Sequence, residues 1–313
     1  MNQLKDNRIY QGKGKRLADR GEKQPLFEEN SKLFDPQYYQ PGEDLLDAVD
    51  VALRLGQPLL LTGEAGSGKT QLAHSVAWEL GLELFVFQTK STSTYMDLFY
   101  RYDHLRHFQD IQLKKEKPAE QYIEYGPLGR AIRVAKQKAL RSVVLIDEID
   151  KAPRDLPNDI LNEIERMFFE VKETEESYDA ARLYRPILIL TSNQEKDLPD
   201  AFRRRCVFFH IRFPEDRLES IVRNRLPDDA LPADSALKNA IEHFLSIRKL
   251  GLEKNPSTAE LLGWIALLSK MGLNVKDAKS LTAEEKDALL SSYSVLAKSD
   301  EDLKRLRTEL TKA

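Results

Sequence analysis

"LLLTGEAGSGKTQLA", Leu59 to Ala73, joins an apolar run to a glycine-rich stretch that ends on a lysine and a threonine. Leu59 to Thr62 has the length and composition of a short buried strand. Gln71 to Leu80 follows as a helix and stops at Gly81. Between them Gly63, Gly68, Lys69 and Thr70 satisfy G-x-x-x-x-G-K-[ST], with Gly66 inside the loop. Strand, glycine loop and helix in that order are the context in which this pattern holds phosphate. The glycines let backbone N–H groups turn inward, and the helix N-terminus adds positive potential. The loop formed by Gly63, Glu64, Ala65, Gly66, Ser67, Gly68, Lys69 and Thr70 is therefore expected to bind a nucleotide. Lys69 is expected to reach the β- and γ-phosphates, and the Thr70 hydroxyl to ligand Mg²⁺. The Glu64 side chain is expected to face solvent.

A phosphate loop alone serves kinases and passive switches as well as hydrolases. "VVLIDEID" narrows the choice: Val143 to Ile146 form a buried strand that delivers Asp147 and Glu148 to its carboxyl end. In open α/β sheets ligands bind at that end. Asp147 is expected to hold the Mg²⁺ shell, and Glu148 to orient and deprotonate the attacking water. Asp150 and Lys151 just beyond are read as surface or interface residues. "ILILTSN" is a further strand that places Asn193 at its end, where a carboxamide can both donate and accept. Arg203, Arg204 and Arg205 stand together ten residues on. Three adjacent guanidiniums serve poorly as a core element, so the run is either solvated surface or an arginine aimed at a neighbouring subunit's γ-phosphate.

Strands alternate with helices up to about residue 213, which implies a mostly parallel sheet covered on both faces, the α/β class. "LELFVFQT" is another strand; "PLGRAIRVAKQKAL" reads as a helix with Pro127 in its first turn, and "APRDLPNDILNEIERM" as one continuous helix. From Pro214 onward amphipathic helical stretches recur over 216–225, 234–249, 258–270 and 282–297, a small all-α domain. Residues 1–30 are polar, mixed in charge and aperiodic, and read as a flexible tail. The expected organisation is thus tail 1–30, α/β domain 31–213 and helical domain 214–313.

Lys+Arg number 48 against 51 Asp+Glu, a net charge of -3. A protein that held nucleic acid mainly by counterion release would be visibly basic, so charge argues against a dedicated nucleic-acid binder. No apolar run is long enough to span a membrane, and "MNQLKDNRIYQGKGKRLADR" has no apolar core of a secretory signal. The single cysteine, Cys206, fits a reducing, cytoplasmic setting and is read as a small buried side chain.

With these residues in place the chain resembles the AAA+ ATPases, specifically the MoxR-like group of the dynein-related branch. The motifs that carry the resemblance are the phosphate loop, "IDEIDKAP", the "TSN" strand and "LPDAFRRRC", and it covers about Tyr38 to Met271. It implies a P-loop ATPase sheet followed by a helical lid, with ATP and Mg²⁺ as cofactors. By position Lys69 and Thr70 are Walker A residues, Asp147 and Glu148 Walker B, and Asn193 sensor 1. Arg205 falls where the family's arginine finger lies, with Arg204 beside it. Tyr38, Tyr39 and Pro41 lie where the family's N-linker approaches the base. The resemblance also implies two pore-facing inserts. The first, near 99–125, combines Arg101, Arg106, Lys114 and Lys115 with Phe99, Tyr100, Tyr102 and Phe108. The second is a hairpin near 168–186, with an acidic tip from Glu173 to Asp179. The family's lid places an arginine, sensor 2, just after a Ser-Pro pair; this chain departs from that pattern with "KNPSTAELLGW".

The resemblance implies a homo-oligomeric, hexameric ring that remodels or matures a client protein complex, with a von Willebrand factor A domain protein as partner. The alternative is a nucleic-acid-dependent motor or loader on the same ATPase core, because aromatics beside arginines also stack on single strands.

Overall fold

The computed structural model describes residues 31–115, 117–275 and 281–312. The tail expected over 1–30 lies outside them. Two compact units emerge, one of residues 39–212 and one that joins residues 31–38 to 213–312.

The first unit is built on five parallel strands, β1 (Leu59–Gly63), β2 (Glu83–Gln88), β5 (Ser142–Asp147), β8 (Ile187–Ser192) and β9 (Val207–Ile211), in the order β2-β5-β8-β1-β9. The helices α1 (Glu43–Leu55), α2 (Lys69–Glu79) and α4 (Pro127–Lys138) accompany it. Because side chains alternate along a strand, the apolar run of β5 supplies both faces. Val143 and Leu145 enter one buried cluster with Leu72 and Ala73 of α2, while Val144 and Ile146 enter another with Leu128 and Ile132 of α4. A strand with apolar residues at every position suits only such a two-sided core.

Between β2 and α4 the chain forms a small antiparallel pair, β3 (Tyr100–Tyr102) with β4 (Ile123–Tyr125), around the exposed helix α3 (His104–Gln112). The stretch expected as one helix over 152–167 is instead two, Leu156–Asp159 and α5 (Leu161–Arg166). Pro157 sits in the first turn, where its missing N–H is tolerated, and Ile160 between the two helices has its ψ shifted to -4°. An antiparallel hairpin follows, β6 (Phe168–Val171) with β7 (Glu176–Asp179). Its tip is therefore Lys172 to Glu175, and the second half of the expected acidic tip is strand. β9, "VFFHI", carries no strand signature that the sequence reading used; it is an edge strand, and its alternate residues stay partly exposed.

The second unit is helical: α6 (Leu218–Arg225), α7 (Asp234–Arg248), α8 (Thr258–Lys270), α9 (Ala283–Ser292) and α10 (Asp300–Lys312). α9 ends at Ser292, short of the expected Ala297. Trp264, Phe244, Leu237 and Leu289 are among the buried side chains of its core. Residues 31–38, expected within the α/β domain, pack here instead. Buried Arg225 donates to the carbonyls of Lys32 (3.2 Å), Leu33 (2.7 Å) and Asp35 (3.2 Å), which ties that segment to α6. Among the described residues no helix is long and apolar enough to cross a membrane.

Candidate active site

The parallel register brings the carboxyl ends of the strands together. Gln88 pairs with Asp147, Thr62 with Ser192, and Gly63 with Ile211. The phosphate loop opens from β1 at this rim. Gly63 has φ 149°, Gly66 72° and Gly68 91°, backbone that L side chains rarely adopt. A Cβ at Gly63 would also lie 2.7 Å from the Ile211 carbonyl oxygen. One at Gly68 would lie 3.0 Å from the Tyr39 ring. Tyr39 thus stands against the loop, whereas Tyr38 belongs to the helical unit, its ring under Lys32 Nζ. Glu64 is exposed, as expected.

Lys69, 6% exposed, opens α2 and folds back across the loop, where Nζ donates to the carbonyls of Gly63 and Glu64, each at 2.8 Å. Burial pushes its ammonium below the ordinary lysine range, and the carboxylates of Asp150, Asp147, Glu148 and Glu64 push it back. An ammonium held this way in a glycine cradle has the charge and donors to receive a phosphate. The Ser67 hydroxyl is buried there without a partner among the described residues. The loop residues fit a nucleotide's phosphates on these grounds.

Asp147, at the end of β5, accepts from the Thr70 hydroxyl at 2.9 Å and from the Thr191 hydroxyl at 2.6 Å, both on Oδ1. A hydroxyl and a carboxylate converging here are hard oxygen donors of the kind Mg²⁺ prefers. Glu148 follows in the left-handed region (φ 56°, ψ 51°), a conformation a non-glycine residue holds only when its surroundings fix it. Here its N–H donates to Thr191 Oγ1 at 2.8 Å. Its carboxylate accepts from Asn193 Nδ2 on Oε1 at 3.1 Å, and from Lys151 Nζ (2.5 Å) and Gln88 Nε2 (3.4 Å) on Oε2. The Lys151 hydrogen bond is the largest cause holding the Glu148 carboxyl below its usual range.

The structure therefore gathers Lys69, Thr70, Asp147, Glu148 and Asn193 at one rim. It corrects the reading of Asp150. Asp150 is buried, not a surface residue, and accepts from backbone N–H groups of Asn193 and Glu195 on Oδ2. Lys151 is half-exposed and engaged with Glu148. Thr191, fully buried, was given no role by the sequence reading, although a hydroxyl two residues before Asn193 in an apolar strand shares its face. The arginine run is not at this rim, because it precedes β9 and so lies at the other end of the sheet. Arg203 pairs with Asp200 and Arg205 with Glu165 (3.3 Å) and the Ala201 carbonyl (3.1 Å). Arg204 is exposed, and its guanidinium has no polar partner among the described residues.

This constellation agrees with what the family comparison finds: residues 58–206 match the AAA domain (dynein-related subfamily). These residues are an AAA domain of the dynein-related subfamily. The AAA domain binds nucleotide and the chain is an ATPase. Protein NorQ of Paracoccus denitrificans (strain Pd 1222) is 26% identical over 252 residues, which are 78% of this chain and 85% of NorQ. A structure of a point mutant of Thermotoga maritima RuvB superposes with a TM-score of 0.48 at 18% identity, covering 83% of this chain and 70% of RuvB. The Thermotoga maritima RuvB Holliday junction branch migration motor does so with a TM-score of 0.44 at 17% identity, over the same shares. With ATP bound, the AAA domain would have Lys69 and the loop N–H groups on the phosphates, and Thr70 and Asp147 on Mg²⁺. The bound nucleotide and metal supply the scissile anhydride and neutralise its charge.

Proposed function

We propose that the chain hydrolyses ATP as one subunit of a homo-oligomeric ring, hexameric by resemblance, each site being completed by an arginine of the next copy. The observation that carries this reading is the separation of Arg204 from its own phosphate loop. Gly63 is paired with Ile211 at one end of β9, and the arginines precede Val207 at the other. At about 3.3 Å per residue the strand alone interposes about 13 Å. A guanidinium so placed, with no partner among the described residues, suits the site of a second copy. In the assembled site Glu148 orients and deprotonates water, Asn193 holds Glu148 in place, and the incoming guanidinium stabilises charge.

The work done by hydrolysis is the remodelling or maturation of a client protein complex in the cytoplasm, with a von Willebrand factor A domain protein as partner. Support comes from the two inserts. Tyr100 and Phe169 pack ring against ring at 6.3 Å, and Lys172 N–H donates to the Tyr100 hydroxyl at 3.1 Å. Hairpin and β3–β4 pair are thereby one body, on which α3 exposes Leu105, Phe108 and Ile111. An apolar helix face suits a protein client. Nucleic acid is disfavoured because Phe99 and Tyr100, two of the four aromatics of that insert, are buried as anchors and not offered for stacking.

Subunit mixing tests the reading. Lys69→Ala and Arg204→Ala proteins, each inactive alone, should regain turnover when co-assembled, since some interfaces then combine an intact loop with an intact arginine. Mixed assemblies that stay inactive, or a monomer shown by light scattering to turn over at full speed, would refute it.

A further inference from the structure

We propose that Asp150 is a positioning residue for ATP hydrolysis: its carboxylate clamps the turn after β8 and so keeps the Asn193 carboxamide on Glu148. This rests on the roles proposed above for Glu148 and Asn193. Asp150 is 2% exposed, and its Oδ2 accepts from Asn193 N–H at 3.1 Å and Glu195 N–H at 3.0 Å. Between those two lies Gln194 with φ 60°, and the Gln194 N–H goes to Ser192 Oγ at 3.0 Å. A left-handed residue in such a turn makes the flanking N–H groups converge on one side, forming a concavity that binds anions. Here the anion is a carboxylate from the chain's own Walker B turn.

The placement of Asp150 follows from the backbone. After Glu148 turns left-handed, Ile149–Lys151 form a single 3-10 turn, and Ile149 is fully buried in the sheet's core. That anchor leaves Asp150 facing β8 and not solvent. A carboxylate in this position is tolerated only with strong partners. Two charge-assisted bonds from backbone N–H groups meet part of that need. Its second oxygen, Oδ1, is buried with no partner among the described residues. One residue thus joins two parts of the site: the turn carrying Glu148 and the turn carrying Asn193. Asn193 is held at both ends, its N–H by Asp150 and its carboxamide by Glu148. Without the clamp the Gln194 turn has no reason to keep its left-handed form, and the carboxamide loses its fixed origin.

Asp150→Ala and Asp150→Asn in the full chain test this. In nucleotide-free protein, the Asn193 and Glu195 amides should exchange with deuterium at least about tenfold faster in Asp150→Ala. In Asp150→Asn they should stay near native, because the amide oxygen still accepts. Asp150→Ala should lower kcat by about 10–100-fold while its affinity for ATP, measured by calorimetry, stays within about threefold; Asp150→Asn should recover most of the rate. Should Asp150→Ala not fold, Asp150→Glu, which displaces the carboxylate by one methylene, takes its place under the same criteria. Unchanged exchange at both amides overturns the proposal. So does a folded Asp150→Asn protein that loses as much turnover as the alanine variant, or a parallel loss of ATP affinity and rate. Exchange in the absence of nucleotide reads the clamp alone, so its failure is distinct from a failure of the roles given to Glu148 and Asn193.

Discussion

Asn193 donates its carboxamide N–H to Glu148 across 3.1 Å, joining the end of β8 to the residue that follows β5. The two side chains reach one another because β5 and β8 are adjacent parallel strands in fixed register. Glu148 would otherwise be an acid on a left-handed hinge with several rotamers open to it. The contact restricts Oε1, and Lys151 restricts Oε2.

Glu148→Gln removes the proton acceptor and keeps the shape. ATP affinity should stay within about threefold, while turnover falls by roughly 10²–10⁴-fold, the range for loss of a general base. Asn193→Ala leaves the acid but frees its orientation, and should cost less, about 10–100-fold in kcat. Steady-state turnover beside calorimetric ATP binding separates the two effects. Normal turnover in Glu148→Gln would remove Glu148 from the chemistry.

Thr191→Val tests the buried hydroxyl that serves Asp147 and Glu148 together. Valine matches its shape, so the cavity term is small, but the Glu148 N–H is left without its acceptor. An unsatisfied buried donor costs about 1–3 kcal/mol. At the scale of this α/β unit that lowers the melting temperature by several degrees, about 2–4 °C per kcal/mol. Turnover should drop by at least about tenfold, because Asp147 also loses a donor and Glu148 its backbone tether. A calorimetric melt and a turnover assay on the same preparation check both parts.

What the sequence disclosed and what it hid divide along physical lines. β1, β5 and β8 are buried on both faces, and such strands are runs of apolar residues that end on functional side chains. Lys69, Thr70, Asp147, Glu148 and Asn193 are therefore legible in the sequence. β9 is an edge strand with mixed burial, and its pattern, Val207 to Ile211, announces nothing. Asp150 was misread because acidic residues after a strand are commonly solvated. Its burial depends on backbone N–H groups of residues 193–195, which no local pattern reveals. Residues 31–38 were assigned to the wrong unit for a similar reason: the carbonyls that Arg225 binds are invisible in side-chain composition.

Arg204 and Arg205 differ in what already occupies them. Arg205 is shared between Glu165 and the Ala201 carbonyl, and Arg204 has neither. Arg204→Ala should therefore lower turnover by the larger factor, about 10³-fold or more if it acts as the trans arginine. Arg205→Ala breaks only an exposed pair, worth at most about 1 kcal/mol, and should reduce turnover by less. The comparison is made at matched oligomeric state, verified by light scattering. A larger loss from Arg205→Ala would assign the role to that residue instead.

His243 sets an acid limit on the helical unit. Its ring stacks between Trp264 and Tyr293, with Nε2 at 2.7 Å from the Tyr293 hydroxyl. Burial pushes its pKa down from 6.5 to about 4. The folded unit thus prefers the neutral ring, and between those two values the unfolded chain binds the extra proton. Stability is complete above about pH 6.5, falls as pH drops towards 4, and loses at most about 3 kcal/mol from this group. Trp264 makes the transition readable by urea titration with tryptophan fluorescence in a Trp78→Phe background, which removes the exposed tryptophan of α2. His243→Phe should flatten the loss between pH 6.5 and 4, whatever it does to stability at neutral pH. A variant whose acid loss equals that of the natural chain would place the titration elsewhere.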